Sequence, residues 1–111
     1  MTTRKTQNAN AEKIGKIIYG YRMELSLSSN SREYFIEDRI ETGLLSEGWI
    51  SAKSLTNIEL GKNFPSYTSL KLLSTALEVD FLILLEAVGP YMPDSLNEIW
   101  VLLKKMNFEG L

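Results

Sequence analysis

Lys53, Thr56 and Asn57 stand close together in the chain and bring three different hydrogen-bonding chemistries. A lysine ammonium only donates, an asparagine amide donates and accepts in one plane, and a threonine sets a hydroxyl beside a methyl group. At about 100° per residue, these side chains and Leu60 share one edge of a helix over residues 51–61, while Ser51, Leu55 and Ile58 share the other. The second edge can dock on a core and the first stays free for contacts. This donor and acceptor set suits the edges of DNA bases. Asn57 can make two hydrogen bonds to adenine, Lys53 can donate to guanine O6 or N7, and Thr56 can hydrogen-bond or place its methyl against thymine. Asn57 also has a purely local use, a hydrogen bond in the terminal turn near Gly61.

The elements around this helix must hold it in place. Ser51 can cap its start through a hydroxyl that accepts a free backbone N–H, Gly61 suits the left-handed conformation that ends helices, and Pro65 stops continuation. Upstream, Ile14, Ile17, Ile18, Tyr21 and Leu25 recur at helical spacing and predict an amphipathic helix over 12–25 despite Gly15 and Gly20. Ser31 precedes a second helix over 32–42 that carries Tyr34, Phe35, Ile36 and Ile40. Gly43 and Gly48 bracket a segment expected to be an irregular connection or one extra turn, and Trp49 is expected in the core rather than as a base-stacking platform. Ser66 and Asp80 mark the starts of a fourth helix, with Leu70, Leu73, Ala76 and Leu77 inward, and of a fifth through Phe81–Leu85 that is apolar nearly all round. Ser95 and Glu98 fit a capping box opening a last helix with Leu96, Ile99, Trp100, Leu103 and Met106 on one face.

Composition narrows the chemistry. The 111 residues are 44% hydrophobic, enough for one core, and contain no cysteine and no histidine. Disulfides and thiolate chemistry are thereby excluded, and the usual zinc ligands and general bases are missing. Neither a nucleophile motif nor a phosphate-cradling glycine loop is present, so no enzyme activity, metal or cofactor is expected. No apolar run is long enough for a bilayer and the N-terminus has no signal-like apolar stretch, so a soluble, cytoplasmic protein is expected. The net charge of −2 is low for nonspecific nucleic-acid binding, but residues 1–71 carry ten basic and eight acidic side chains against two and six in 72–111.

The residues Ile14-Gly15-Lys16-Ile17-Ile18 through Arg22, Ser31-Arg32-Glu33, Asn57-Ile58-Glu59-Leu60-Gly61-Lys62 and Pro65-Ser66, continued by Leu70, Ala76, Leu77 and Val79, resemble the Cro/repressor-like, or XRE-like, helix-turn-helix family. The resemblance implies an all-α fold of five helices over 11–89; the polar residues 1–10 read as a flexible arm before it, and the capped apolar stretch within 90–111 as a C-terminal helix after it. The resemblance places the third helix in the major groove of double-stranded DNA, with the second crossing the backbone. Lys53, Thr56 and Asn57 become base contacts. Arg32, Ser51, Lys62 and Asn63 become contacts to the phosphate backbone that set register, although Lys62 equally suits a solvated surface. Arg22 and Glu59 occupy the positions of a structural ion pair. Two departures stand out: the connection between helices 2 and 3 is long and acidic, and Leu60 lies where a polar residue is commoner and is expected to pack on that connection. Helix 6, through Leu96, Ile99, Trp100 and Leu103, either closes the core or makes a homodimer, the latter favoured because the family's domain is complete without it. The function implied is a transcriptional regulator, in the repressor sense, binding operator DNA as a dimer. A helix-turn-helix interaction protein that acts through a protein partner, antitoxin-like or anti-repressor, is the alternative.

Overall fold

A computed structural model describes residues 4–93 of the chain, and within them it is all-α. Five α-helices, α1 (Arg4–Glu24), α2 (Arg32–Glu41), α3 (Ala52–Glu59), α4 (Tyr67–Leu77) and α5 (Phe81–Val88), are followed by a single 3-10 turn over Gly89–Tyr91. The four caps read from the sequence within these residues are in use. The hydroxyls of Ser31, Ser51 and Ser66 accept from the backbone N–H groups of Tyr34, Ser54 and Ser69, each at 3.0 Å, and Asp80 accepts from Leu82 at 2.9 Å. Each bond satisfies one of the N–H groups that a helix start leaves free.

The helix ends are as regular as the starts. At α2 the N–H of Gly43 returns to Ile40 and that of Leu44 to Arg39, and at α3 Gly61 returns to Ile58 and Lys62 to Asn57. Both glycines have positive φ, 81° and 75°, as this Schellman closure requires. The α4 terminus closes the same way through Glu78 (φ 57°) and Val79. Glu78 bears that conformation while its carboxylate accepts from Arg39 at 2.9 Å.

The core draws on all five helices. Ile14 and Ile18 of α1, Phe35 of α2, Leu55 of α3, Leu70 and Leu73 of α4, and Leu84 and Val88 of α5 are wholly enclosed. The long connection between α2 and α3 belongs to this core rather than standing off as a flap. Leu45, Trp49 and Ile50 pack against it, the Trp49 ring meets Phe35 edge-on with centroids 6.0 Å apart, and its indole N–H donates to the Ile36 carbonyl at 3.4 Å. The segment is an irregular connection, and Trp49 is a packing residue.

Two boundaries need correction. Residues 4–10, expected in a flexible arm, form the first turns of α1. Polarity is no obstacle to a helix there: Arg, Lys, Gln and Ala are good helix formers, no glycine or proline intervenes, and the buried Ala11 ties the stretch to the core. The boundary expected at residue 90 is displaced too, because the 3-10 turn packs on α1 and α5 and Met92 is buried in the same core. The stretch that begins at Ser95, with Leu96, Ile99, Trp100 and Leu103, lies outside the described residues.

α1 approaches α3 at a point where no side chain fits. A Cβ on Gly15 would lie 2.3 Å from the carbonyl oxygen of Glu59 and 2.6 Å from that of Ile58, whereas a Cβ on Gly20, one turn further along, would meet nothing within 4 Å. The two glycines of one helix therefore have opposite sensitivities. Gly15→Ala is expected to lower stability by roughly 1–3 kcal/mol, through forced separation of the helices. Gly20→Ala is expected to raise it by about 0.5–1 kcal/mol, through reduced backbone entropy of the unfolded chain. Urea unfolding of the two variants, followed by circular dichroism, checks both signs.

Candidate nucleic-acid interface

α3 separates Leu55 and Ile58 from its outer side chains as its periodicity predicts, while Ser51, expected on their edge, is exposed at the cap. Leu55 and Ile58 are buried, Lys53 and Ser54 are exposed, and Thr56 and Asn57 are half-buried. Lys62 and Asn63, in the loop that follows, are exposed beside the C-terminal end of the helix. Lys53, Asn57, Lys62 and Asn63 thus lie on accessible surface of one short stretch. Their side chains make no hydrogen bond to another described residue, so the terminal-turn use of the Asn57 amide does not occur among these residues. The Asn57 carbonyl alone serves that turn, accepting from Lys62 at 2.8 Å.

Two of the expected contact residues have local employment. The Thr56 hydroxyl donates back to the Ala52 carbonyl at 2.7 Å, which leaves its lone pairs and methyl, but not its proton, for an external partner. Ser51 accepts from the Ser54 backbone and donates to the Ser54 hydroxyl at 3.0 Å, so it is first a helix cap.

The ion pair at Glu59 is built tightly. Arg22 reaches across from α1 and grips both carboxylate oxygens, Nε to Oε2 at 2.6 Å and Nη2 to Oε1 at 2.8 Å, while its Nη1 donates to the Asn30 carbonyl at 2.6 Å. The side chains of Arg22 and Glu59 are 4% and 1% exposed. Arg32, expected only as a backbone contact, is a second partner: its Nε donates to Glu59 Oε1 at 2.8 Å, and its side chain is 27% exposed. One buried carboxylate thus joins α1, α2 and α3. A signal for this lay in the sequence, because an arginine at the first position of a helix faces the positive end of the helix dipole and so points to an anionic partner elsewhere.

Arg39, among the acidic residues at the end of α2, is a further buried cation. It donates to the Ala76 carbonyl at 3.1 Å and to Glu78 at 2.9 Å, and pairs with Asp38, joining the end of α2 to the end of α4. Burial opposes its charge, but the Asp38 and Glu78 carboxylates more than offset this and hold the guanidinium above its ordinary pKa. Leu60 also departs from expectation. It does not turn to the α2–α3 connection but stands 53% exposed beside Glu12, Lys16, Tyr19 and Arg32, because the Schellman turn at Gly61 directs it toward α1.

The neighbouring helix α2 carries acidic groups. Glu33, Glu37 and Glu41 run along the exposed face of α2 at one-turn intervals. Among the described residues no cluster of three or more His, Cys, Asp or Glu side chains could hold a metal ion, and no helix is long and apolar enough to cross a membrane. Comparison with known protein families, with characterised proteins and with solved structures gives no match to this chain.

Because Glu59 is enclosed, its partners have unequal weight. Arg22→Ala is expected to cost about 3 kcal/mol, the low end of the range for breaking a buried ion pair, because Arg32 stays beside Glu59. Arg32→Ala is expected to cost no more than about 1.5 kcal/mol, because water reaches that guanidinium. Chemical denaturation of the two variants gives the comparison, and the order of the two losses is the decisive reading.

Proposed function

We propose that the protein is a sequence-specific DNA-binding regulator of the helix-turn-helix kind, with α3 as its recognition helix. The observation that carries the reading is the division of α3 itself: Leu55, Ile58 and Glu59 are held inside, while the side chains of Lys53 and Asn57 remain accessible and bond to no other described residue, beside Lys62 and Asn63. In this reading Lys53 and Asn57 address base edges, and Thr56 contributes its methyl and its acceptor lone pairs. Lys62 and Asn63 hold phosphates, and Arg32 contributes the guanidinium N–H groups that Glu59 leaves unused. Ser51 acts by fixing where the helix starts. Repression by occupancy of an operator follows most simply, since regulation then needs no chemistry from the chain. A homodimer would address two half-sites about one helical turn, ~34 Å, apart and would compensate for a net charge of −2. The stripe of Leu96, Ile99, Trp100 and Leu103 is the proposed dimer element.

A specific observation favours a second reading. The exposed glutamate row of α2 adjoins Arg32 and would repel a phosphate backbone that approached along that helix. This suits an interaction protein, antitoxin-like or anti-repressor, that keeps the scaffold and binds a protein partner.

Selection from random duplexes, followed by titration at several salt concentrations, separates the two. A regulator is expected to enrich a palindromic motif. Lys53→Ala should then relax one base position by ~1–3 kcal/mol of discrimination, while Lys62→Ala should weaken all sequences alike and reduce the salt slope by about one. Recovery of no motif at low salt removes the DNA reading. Dimerisation has its own check: Trp100→Asp is expected to convert a sedimenting dimer to monomer without changing the helical content of the remainder.

A further inference from the structure

A groove of about 340 Å³ lies where α1, the start of α2 and the end of α3 meet, lined by Glu12, Lys16, Tyr19, Arg32, Glu59 and Leu60. Its chemistry is mixed in a particular way. Tyr19 and Leu60, 46% and 53% exposed, are large apolar groups standing in water at the same opening. The same groove is lined by Arg32, whose Nε is committed to Glu59 while its other N–H groups bond to no described residue. Lys16 adds a second cation. Glu59 adds little negative charge, because Arg22 grips both its oxygens from behind. Among the lining residues Lys16 and Arg32 balance Glu12 and Glu59, and Arg22, behind Glu59, adds one positive charge to the cluster.

We propose that this groove docks a segment of a partner polypeptide that sets a carboxylate beside a large apolar side chain. The carboxylate would take the free side of the Arg32 fork, with Lys16 nearby, and the apolar side chain would cover Tyr19 and Leu60. A guanidinium already fixed by Glu59 meets a carboxylate with little loss of rotamer freedom. A polypeptide segment suits the shape better than a free small molecule. Small-molecule sites enclose most of their ligand, whereas this groove is open along an apolar rim that a longer segment would cross and cover. The proposal goes beyond the DNA reading of α3 and does not depend on it.

Selection of a displayed library of random short peptides against the full chain tests it. The expected outcome is enrichment of an acidic residue next to an aromatic or branched apolar one. Affinity of the selected peptides should fall about tenfold when their carboxylate is replaced by an amide, the loss of one charge-assisted contact. Similar falls are expected in Lys16→Glu and in Leu60→Asp, two surface variants that leave the Arg22–Glu59–Arg32 cluster in place, with circular dichroism verifying their fold. Three outcomes overturn the proposal: peptides lacking that pair, unchanged binding to both variants, or binding of 3-phenylpropionate alone as tight as that of the selected peptides.

Discussion

The enclosed carboxylate of Glu59 is the constraint around which the other helices are arranged. A charge so buried is tolerable only with close, well-directed partners, and it has two, from different helices. Arg22 fixes the relation of α1 to α3, and Arg32 brings in the start of α2. The backbones of α1 and α3 must come near enough for these bonds to form, which Gly15 permits by having no Cβ. The ionic and steric requirements act at the same residue, since the Glu59 carbonyl is what a side chain at position 15 would strike. Neither requirement is met by a looser crossing of the two helices.

Much of this architecture was legible because local chemistry and global fold agree. Ser31, Ser51, Ser66 and Asp80 announce four helix starts, and Gly43 and Gly61 announce two ends, through geometry that needs no tertiary information. The sharing of α3 between core and surface also follows from its period, down to the Arg22–Glu59 pair that family resemblance implied. What stayed hidden depends on neighbours distant in sequence. Gly15 and Gly20 look alike in one dimension, and only the passage of α3 beside one of them makes them different. Arg39 sits among acidic residues and reads as surface until α4 supplies the Ala76 carbonyl. The turns over 4–10 stay hidden for another reason: polar composition alone does not distinguish a solvent-facing helix from a mobile arm.

The two proposed uses of the surface place different demands on one small region. Lys53 and Asn57 of α3, with Lys62 and Asn63 in the loop after it, offer donors, while Tyr19, Leu60 and Arg32 form the apolar and cationic opening beside its end. Arg32 belongs to both, and Glu59 stands behind both. A partner in the groove and a phosphate at Arg32 would compete for the same N–H groups, which couples the two surfaces without any movement of the fold.

The clamping of α3 has a consequence for the thermodynamics of whatever it meets. Its start is closed by Ser51, its middle is tied through Glu59, and its end turns at Gly61 directly over the backbone of Glu12, where even a methyl group would come within 2.6 Å. The helix has no ordering left to undergo on contact. Association through it is that of a rigid body, so the heat-capacity change should reflect the surface covered, without the larger decrement of a segment that folds as it binds.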